Sequence, residues 1–307
     1  MTEEIIIIGA GPAGLSAAIY AAREDFHPVI ISGFLTGGQL LLTSKVENYP
    51  AFPEGIEGPD LMQLMKRQAE RFGARFVYEE ATEVDLDSKP FRVVTSSGNF
   101  ESRVLIIATG ASPQWLGIDS EKKFIGKGVS ACATCDAPFF KGKKVMVVGG
   151  GDTAMEDSLF LTKFADRVTI IHRRDRFRAS RILQNKVLKN EKIDIIWNSE
   201  IDEILGKNTV NAVTIRDVNT GQKKELPSGG VFIAIGHRPN TAFLHGKLPL
   251  DEKGYVKTID EVKTHIDGLY IAGDVADGVY RQAVTAAASG VKAALEARTY
   301  LQKIRIG

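Results

Sequence analysis

The chain has 307 residues, 44% of them hydrophobic, and a formal net charge of +1 with both signs interspersed. That is enough apolar material for one large domain or two smaller ones with real cores, and it excludes any need for a disulfide staple. No basic stripe or polybasic run recommends nucleic acid or a membrane surface as a partner, and Met1-Thr2-Glu3-Glu4 has neither the basic segment nor the cleavage site of a secretory leader. With no apolar run of transmembrane length, the expectation is a soluble cytoplasmic enzyme.

Ile5-Ile6-Ile7-Ile8 predicts a buried strand, and residues 13–22, rich in small side chains, a helix. Between them, Gly9-Ala10-Gly11-Pro12-Ala13-Gly14 spells GxGxxG where it carries meaning, after a strand and opening a helix. There the glycines permit a tight turn and let backbone N–H groups and the helix N-terminus approach a pyrophosphate. The next strand, 29–31, ends in Ser32-Gly33, not in the acid that usually takes the ribose hydroxyl. From Gly37 to Pro50 the chain is rich in Gly, Thr and Pro and reads as a loop, either a surface connection or a source of ligand contacts. Residues 59–72 have helical spacing, with Met62 and Met65 as core packing and not a metal site. Strands are expected around 75–78 and 91–95, with Ser97-Gly98-Asn99 as a hairpin turn. A buried strand at 104–107 then leads into Ala108-Thr109-Gly110-Ala111-Ser112-Pro113.

Both signatures recur. Residues 145–148 followed by Gly149-Gly150-Gly151-Asp152-Thr153-Ala154 repeat the opening motif, and residues 231–235 followed by Gly236-His237-Arg238-Pro239 repeat the strand-Gly-x-x-Pro exit. Two Rossmann-like dinucleotide-binding domains in an α/β fold are therefore expected. A later strand at 269–272, Gly273-Asp274 and an Ala-rich helix from about 282 to 301 have no unit of their own. They complete the first domain, so the second is an insertion, with spans of 1–114 and 241–307 for the first and 115–240 for the second.

In the second domain the strand 167–171 runs into His172-Arg173-Arg174-Asp175-Arg176-Phe177-Arg178-Ala179-Ser180. Arginines here suit the 2′-phosphate of NADPH, through charge-assisted and bidentate contacts; the plainer reading is a solvated basic face. The same domain carries Cys132-Ala133-Thr134-Cys135-Asp136, with the only two cysteines in the chain. A zinc site wants four Cys or His ligands, and the five histidines form no HxxxH pair. A structural disulfide closing so short a loop removes little chain entropy. A redox pair, exchanging through mixed disulfides, is the leading reading. NADPH delivers hydride and disulfide exchange runs through thiolates, so a flavin is needed to convert one into the other. The first domain is its expected seat.

CATCD between the glycine motifs, HRRDRFRA after the second and AGDVADGVYRQAVTAAASG near the end are together distinctive. From Ile5 to about Leu301 the chain resembles the low-molecular-weight thioredoxin reductases of bacteria and archaea, FAD-dependent members of the pyridine nucleotide-disulfide oxidoreductase family. The resemblance implies FAD held by Gly9, Gly11, Pro12, Ala13 and Gly14, by Gly38, Gln39, Leu40 and Asn48, and by Thr109 and Gly110. Gly273, Asp274, Arg281, Gln282 and Ala283 would complete that site. It implies NADPH held by Gly149, Gly151, Asp152, Thr153 and Ala154 with His172, Arg173, Arg174 and Arg178. Cys135 would face the flavin and Cys132 would attack oxidised thioredoxin, with a glutaredoxin-like protein or ferredoxin as the alternative acceptor, and the protein would be a homodimer. Ala288 and the pair Ala137-Pro138 depart from the family's usual glycines.

Larger flavin disulfide reductases use a C-terminal histidine as acid, and no His follows His265 here. Asp136 is the nearest acid to the pair and the candidate proton donor; its plainer role is a cap or turn residue. Disulfide and NADPH share one domain while the flavin belongs to the other. A rotation of residues of about 117 to 239, hinged at 110–116 and 236–240, is therefore expected between two working states.

Overall fold

The computed structural model describes residues 2–34, 36–43 and 45–306; Met1 and Gly307, the outer ends of the expected first domain, lie outside them. Packing divides the chain into two units, Met1–Ser112 with Arg238–Gly307, and Pro113–His237. The expected domain boundaries were 114/115 and 240/241.

In the first unit the run of isoleucines is the strand Thr2–Ile8, paired in parallel with Val29–Ile31 on one side and Asn99–Ile107 on the other. A strand covered on both faces reads as a continuous apolar run. Alternate side chains divide accordingly: Ile5 and Ile7 join one core, Ile6 and Ile8 the other. Arg75–Val77 extends the parallel sheet beyond Val29–Ile31. Phe91–Val94 pairs antiparallel with the start of Asn99–Ile107, and Glu83–Asp85 with Phe91–Val94.

Leu269–Ile271 pairs in parallel with residues 105–107 of that same strand. The closing helix Ala283–Ile306 lies against Pro12–Arg23. A Cβ on Gly290 would stand 2.0 Å from the Ala13 carbonyl oxygen, so the two helix backbones meet there without a side chain between them. The loop expected from Gly37 to Pro50 is more ordered than its composition suggests. It contains a 3-10 turn, Gly38–Leu42, and a short strand, Lys45–Val46, paired antiparallel with Ile56–Glu57. The apolar side chains of Leu40 and Leu41 pack against the core and pull the turn down.

The second unit is built on a five-stranded parallel sheet in the order Val129–Ser130, Gly230–Ile233, Lys144–Val148, Arg167–Ile171, Ile193–Ile196. Its central strand again splits by alternation, Val145 and Val147 to one core and Met146 and Val148 to the other. Helices Asp152–Leu161 and Arg181–Leu188 follow its second and third strands in chain order, Lys144–Val148 and Arg167–Ile171. An antiparallel meander, Ser199–Gly206, Val210–Asp217 and Lys223–Pro227, is an addition that the motif reading does not anticipate. The ends of this unit close on themselves: the Gln114 N–H donates to the Gly236 carbonyl at 2.9 Å. Buried Glu121 accepts the Leu116 and Gly117 N–H groups at 2.9 and 3.0 Å.

Candidate functional site

The redox segment leaves the strand Val129–Ser130 and reaches Cys132 in extended conformation, just before a one-turn helix, Ala133–Asp136. Cys132 and Cys135 are joined as a disulfide with Cα atoms 5.3 Å apart. One helical turn sets that spacing, and the Asp136 N–H donates to the Cys132 carbonyl at 3.2 Å. Ala133 and Ala137, fully buried, seat the turn on the core beneath it. Ala137 sits in right-handed helical backbone, so alanine fits where the family prefers a glycine-containing pair; Ala288 is exposed and meets no packing demand. Thr134 Oγ1 lies 3.4 Å from Cys132 Sγ. Asp136 is half-buried, and loss of hydration pushes its carboxyl above the usual range while the Ser130 hydroxyl opposes the shift. It holds a proton to higher pH than an exposed aspartate does.

The first glycine loop shows which of its glycines the fold needs. Gly9 has φ +106°, and a Cβ there would lie 2.3 Å from the Ala108 carbonyl oxygen; one on Gly14 would lie 1.9 Å from the Gly9 oxygen. At Gly11, among the described residues, no atom lies within 4 Å of a Cβ position, which leaves the backbone open ahead of the helix Pro12–Arg23. Distant segments converge on that helix start. A Cβ on Gly38 would be 3.4 Å from the Gly11 Cα, and one on Gly273 would be 2.8 Å from the Ala13 Cβ. Asn48 Nδ2 donates to Gln282 Oε1 at 3.1 Å. Asp274 Oδ1 is buried without a hydrogen-bond partner among the described residues. Burial, with Asp277 adding to it and Arg281 opposing, pushes the Asp274 carboxyl up to about 7.

An open backbone at a helix N-terminus suits a pyrophosphate, and an orphaned carboxylate oxygen suits a hydroxyl donor. FAD, which carries both groups, fits this donor set. Thr109 and Gly110 are committed to the protein as well: Thr109 Oγ1 donates to the Asn240 carbonyl at 2.8 Å, and Asn240 Nδ2 and N donate to the Thr109 and Gly110 carbonyls at 2.9 and 3.0 Å.

The second glycine loop repeats the arrangement. Gly149 has φ +155° and lies against the Ala234 carbonyl, while a Cβ position on Gly151 is open among the described residues. Arg173, Arg174 and Arg178 are exposed, and His172 is 6% exposed. The imidazole lies under the loop, packed on Gly150, with Nε2 3.0 Å from the Arg176 carbonyl. Burial, together with Arg174 and Arg178, holds it below the usual histidine range, so it supports the arginine loop as a neutral ring. Asp152 spends its carboxylate on the Ser180 N–H at 2.6 Å, and Ala154 is a core residue. Sequence reasoning misses Ser130, Asn240 and Glu121. Of these only Ser130 has a local signal, a hydroxyl two residues before the amide it can accept.

A family model described as pyridine nucleotide-disulphide oxidoreductase matches residues 3–290. The chain is 50% identical to a thioredoxin reductase of Rickettsia conorii over 99% of both chains. It is 47% identical to one of Streptomyces clavuligerus, over 97% of this chain and 94% of that one. Solved structures of thioredoxin reductases from Giardia duodenalis (TM-score 0.93, 43% identity, 98% of this chain and 100% of that one) and Streptococcus pyogenes (0.94, 39%, 98% and 99%) share the fold. With its cysteine pair lying between two glycine motifs in the sequence, this chain belongs to the pyridine nucleotide-disulphide oxidoreductase family, in its low-molecular-weight thioredoxin reductase branch.

Proposed function

We infer that the protein is an NADPH-dependent thioredoxin-disulfide reductase, passing two electrons from NADPH through FAD to Cys132–Cys135 and on to oxidised thioredoxin. The observation that carries this is the pair itself: the only cysteines of the chain, bonded to each other one residue before a half-buried aspartate. FAD, when bound, supplies the conversion of hydride into thiolate chemistry.

The open loop at Gly11, the helix Pro12–Arg23, the Asn48–Gln282 pair and Asp274 would hold FAD in the first unit. Gly151, Thr153 and the exposed Arg173, Arg174 and Arg178 would hold NADPH in the second. Reduction breaks the S–S bond and needs a proton for one of the two sulfurs. Asp136 gives that proton to Cys135, leaving Cys132 as the thiolate. Cys132 Sγ attacks one sulfur of the partner disulfide, forming a mixed disulfide and expelling the other partner sulfur as a thiolate. Cys135 returns its proton to Asp136 and attacks Cys132 Sγ, which re-forms the Cys132–Cys135 bond and releases the second partner sulfur.

The residues that would hold NADPH and the disulfide fall in the same unit, Pro113–His237, and on this reading turnover proceeds through rotation of that unit between two states. The enzyme works as a cytoplasmic homodimer; among the described residues no helix is long and apolar enough to cross a membrane. The decisive experiment is Cys132→Ser. NADPH should still bleach the flavin absorbance of this variant, and thioredoxin reduction should be abolished. Normal turnover of thioredoxin by the variant would take the pair off the path. Sedimentation as a monomer at micromolar concentration would contradict the dimer.

A further inference from the structure

Thr134 is the exposed residue of the turn Ala133–Asp136, and its Oγ1 lies 3.4 Å from Cys132 Sγ. A sulfur bonded to another sulfur carries no proton, so in this contact the hydroxyl donates. The backbone on either side is held without help from the S–S bond. Ser130 Oγ accepts the Cys132 N–H at 3.0 Å, and the Cys132 carbonyl accepts the Asp136 N–H at 3.2 Å. Ala133, between the two partners, is buried in the core beneath the turn. The branched Cβ of a threonine restricts its first side-chain torsion. These restraints keep the hydroxyl within reach of Cys132 Sγ when the S–S bond opens and an electron pair stays on that sulfur.

An ionised sulfur accepts a hydrogen bond more strongly than a disulfide sulfur does, and a bond made to the charged form favours that form. The titratable neighbours work the other way. Asp136 shares the turn, and the helix packed against it, Asp152–Leu161, carries Asp152, Glu156 and Asp157. Carboxylates beside a thiolate oppose its charge. The usual means of stabilising a thiolate is a nearby cation, but the segments Ala133–Asp136, Ala137–Phe140 and Asp152–Leu161 contain no lysine, arginine or histidine. What these segments present to Cys132 Sγ is the hydroxyl of Thr134.

We propose that Thr134 is a catalytic residue of the dithiol-disulfide reaction, its hydroxyl donating a hydrogen bond to Cys132 Sγ that holds the attacking sulfur as a thiolate. This rests on the function inferred above, in which Cys132 Sγ attacks the partner disulfide. The hydroxyl keeps its own proton throughout; it stabilises the charge on Cys132 Sγ until that sulfur shares its electron pair in the mixed disulfide. Removing the hydroxyl withdraws a donor that favours the charged form, so the Cys132 thiol keeps its proton to higher pH.

The test uses the full-length, FAD-loaded chain with Cys135→Ser, which leaves Cys132 as the one thiol. Its exchange with the small disulfide dithiodipyridine releases a coloured thiopyridone, and the rate against pH gives the thiol pKa. Thr134→Val keeps the side chain's shape and should raise that pKa by about 1 unit, the lower end for a hydrogen bond to a charged group, since water reaches position 134. A more basic thiolate is also a better nucleophile, by about 0.4–0.5 log units in rate per pKa unit. The two profiles should therefore cross, the variant being about threefold slower below both pKa values and about threefold faster on the alkaline plateau. A disturbance of the fold alone would lower both limbs. Thr134→Ser should restore the unsubstituted profile, and Thr134→Ala should shift it as valine does. A valine profile that superimposes on that of the threonine protein overturns the proposal, and so does a serine variant that behaves like valine. If the enzyme with both cysteines fails to reduce thioredoxin, the functional reading falls and the titration still decides the hydrogen bond; an active enzyme with an unmoved titration sinks this inference alone.

Discussion

Gly150→Ala strikes the seat of the arginine loop without touching an arginine. The new Cβ would lie 2.1 Å from His172 Cε1 and 2.4 Å from Nδ1, where ordinary contact begins at 3.4 Å. The gap must open by 3.4 − 2.1 = 1.3 Å. The ring has little freedom to yield, since Nε2 is bonded to the Arg176 carbonyl and Phe177 and Trp197 stand 5.4 and 6.0 Å away, centroid to centroid. Position 150 is tied as well, its carbonyl accepting the Arg178 and Ala179 N–H groups at 2.7 and 3.2 Å. Overpacking of this kind costs about 1–3 kcal/mol. The displaced segment carries Arg178, so the loss should fall on NADPH, as a rise of about 5- to 150-fold in KM. Steady-state thioredoxin reduction with NADPH varied reads it directly, with flavin content and melting temperature measured alongside. Flavin content should stay at the wild-type level, because Gly150 belongs to the unit Pro113–His237. An unchanged KM in a variant that melts like wild type would refute the dependence of the arginine loop on its histidine seat.

Replacing Arg173 and Arg174 together with Ala should weaken NADPH far more than NADH, each charge-assisted contact to the 2′-phosphate contributing about 1.5–3 kcal/mol; equal losses with both nucleotides in a binding titration would rule out a phosphate site. In FAD-free protein the Asp274 carboxyl sits at about 7 against an ordinary 3.8. The folded form therefore binds more protons between those values, and stability should fall as pH rises from about 4 to about 7 and then level off. Asp274→Asn should flatten that fall, as read from urea midpoints at about pH 5 and about pH 8, and a variant with the wild-type slope would count against it. Gly290→Ala would press a methyl to 2.0 Å from the Ala13 carbonyl and should destabilise the protein by at least about 1–3 kcal/mol; a wild-type melting temperature would show that the helices can part freely.

Strands with both faces covered were legible because burial removes the need for polar alternation: Thr2–Ile8, Lys144–Val148 and Arg167–Ile171 stand out as apolar runs. The glycine loops were legible because close backbone approach admits no other residue at Gly9 or Gly14. What sequence conceals is contact between segments far apart in the chain. Nothing near Asn48 points to Gln282, which meets it across 234 positions, and nothing near Glu121 marks it as a carboxylate spent on backbone amides. His172 reads as a ligand because it adjoins arginines, and nothing local in the sequence shows that its ring is buried beside Phe177 and Trp197. The meander is different: Val210–Asp217 alternates apolar and polar side chains over much of its length and Asn219-Thr220-Gly221 is a turn, a signal that is visible only when no motif draws the eye elsewhere.

The self-closing ends of the inserted unit bear on how the chain is born. Residues 113–237 leave the ribosome as one uninterrupted stretch, with both cores and the closing Gln114–Gly236 bond contained in it, so this unit is complete while synthesis continues. The first unit is not. Until Leu269–Ile271 arrives, residues 105–107 lack their neighbour on that side, and until Ala283–Ile306 follows, the inner face of Pro12–Arg23 lacks its partner helix. The opening third of the protein thus waits through the translation of the whole insertion with an unpaired strand edge and an uncovered apolar face, the kind of nascent surface that holding chaperones bind.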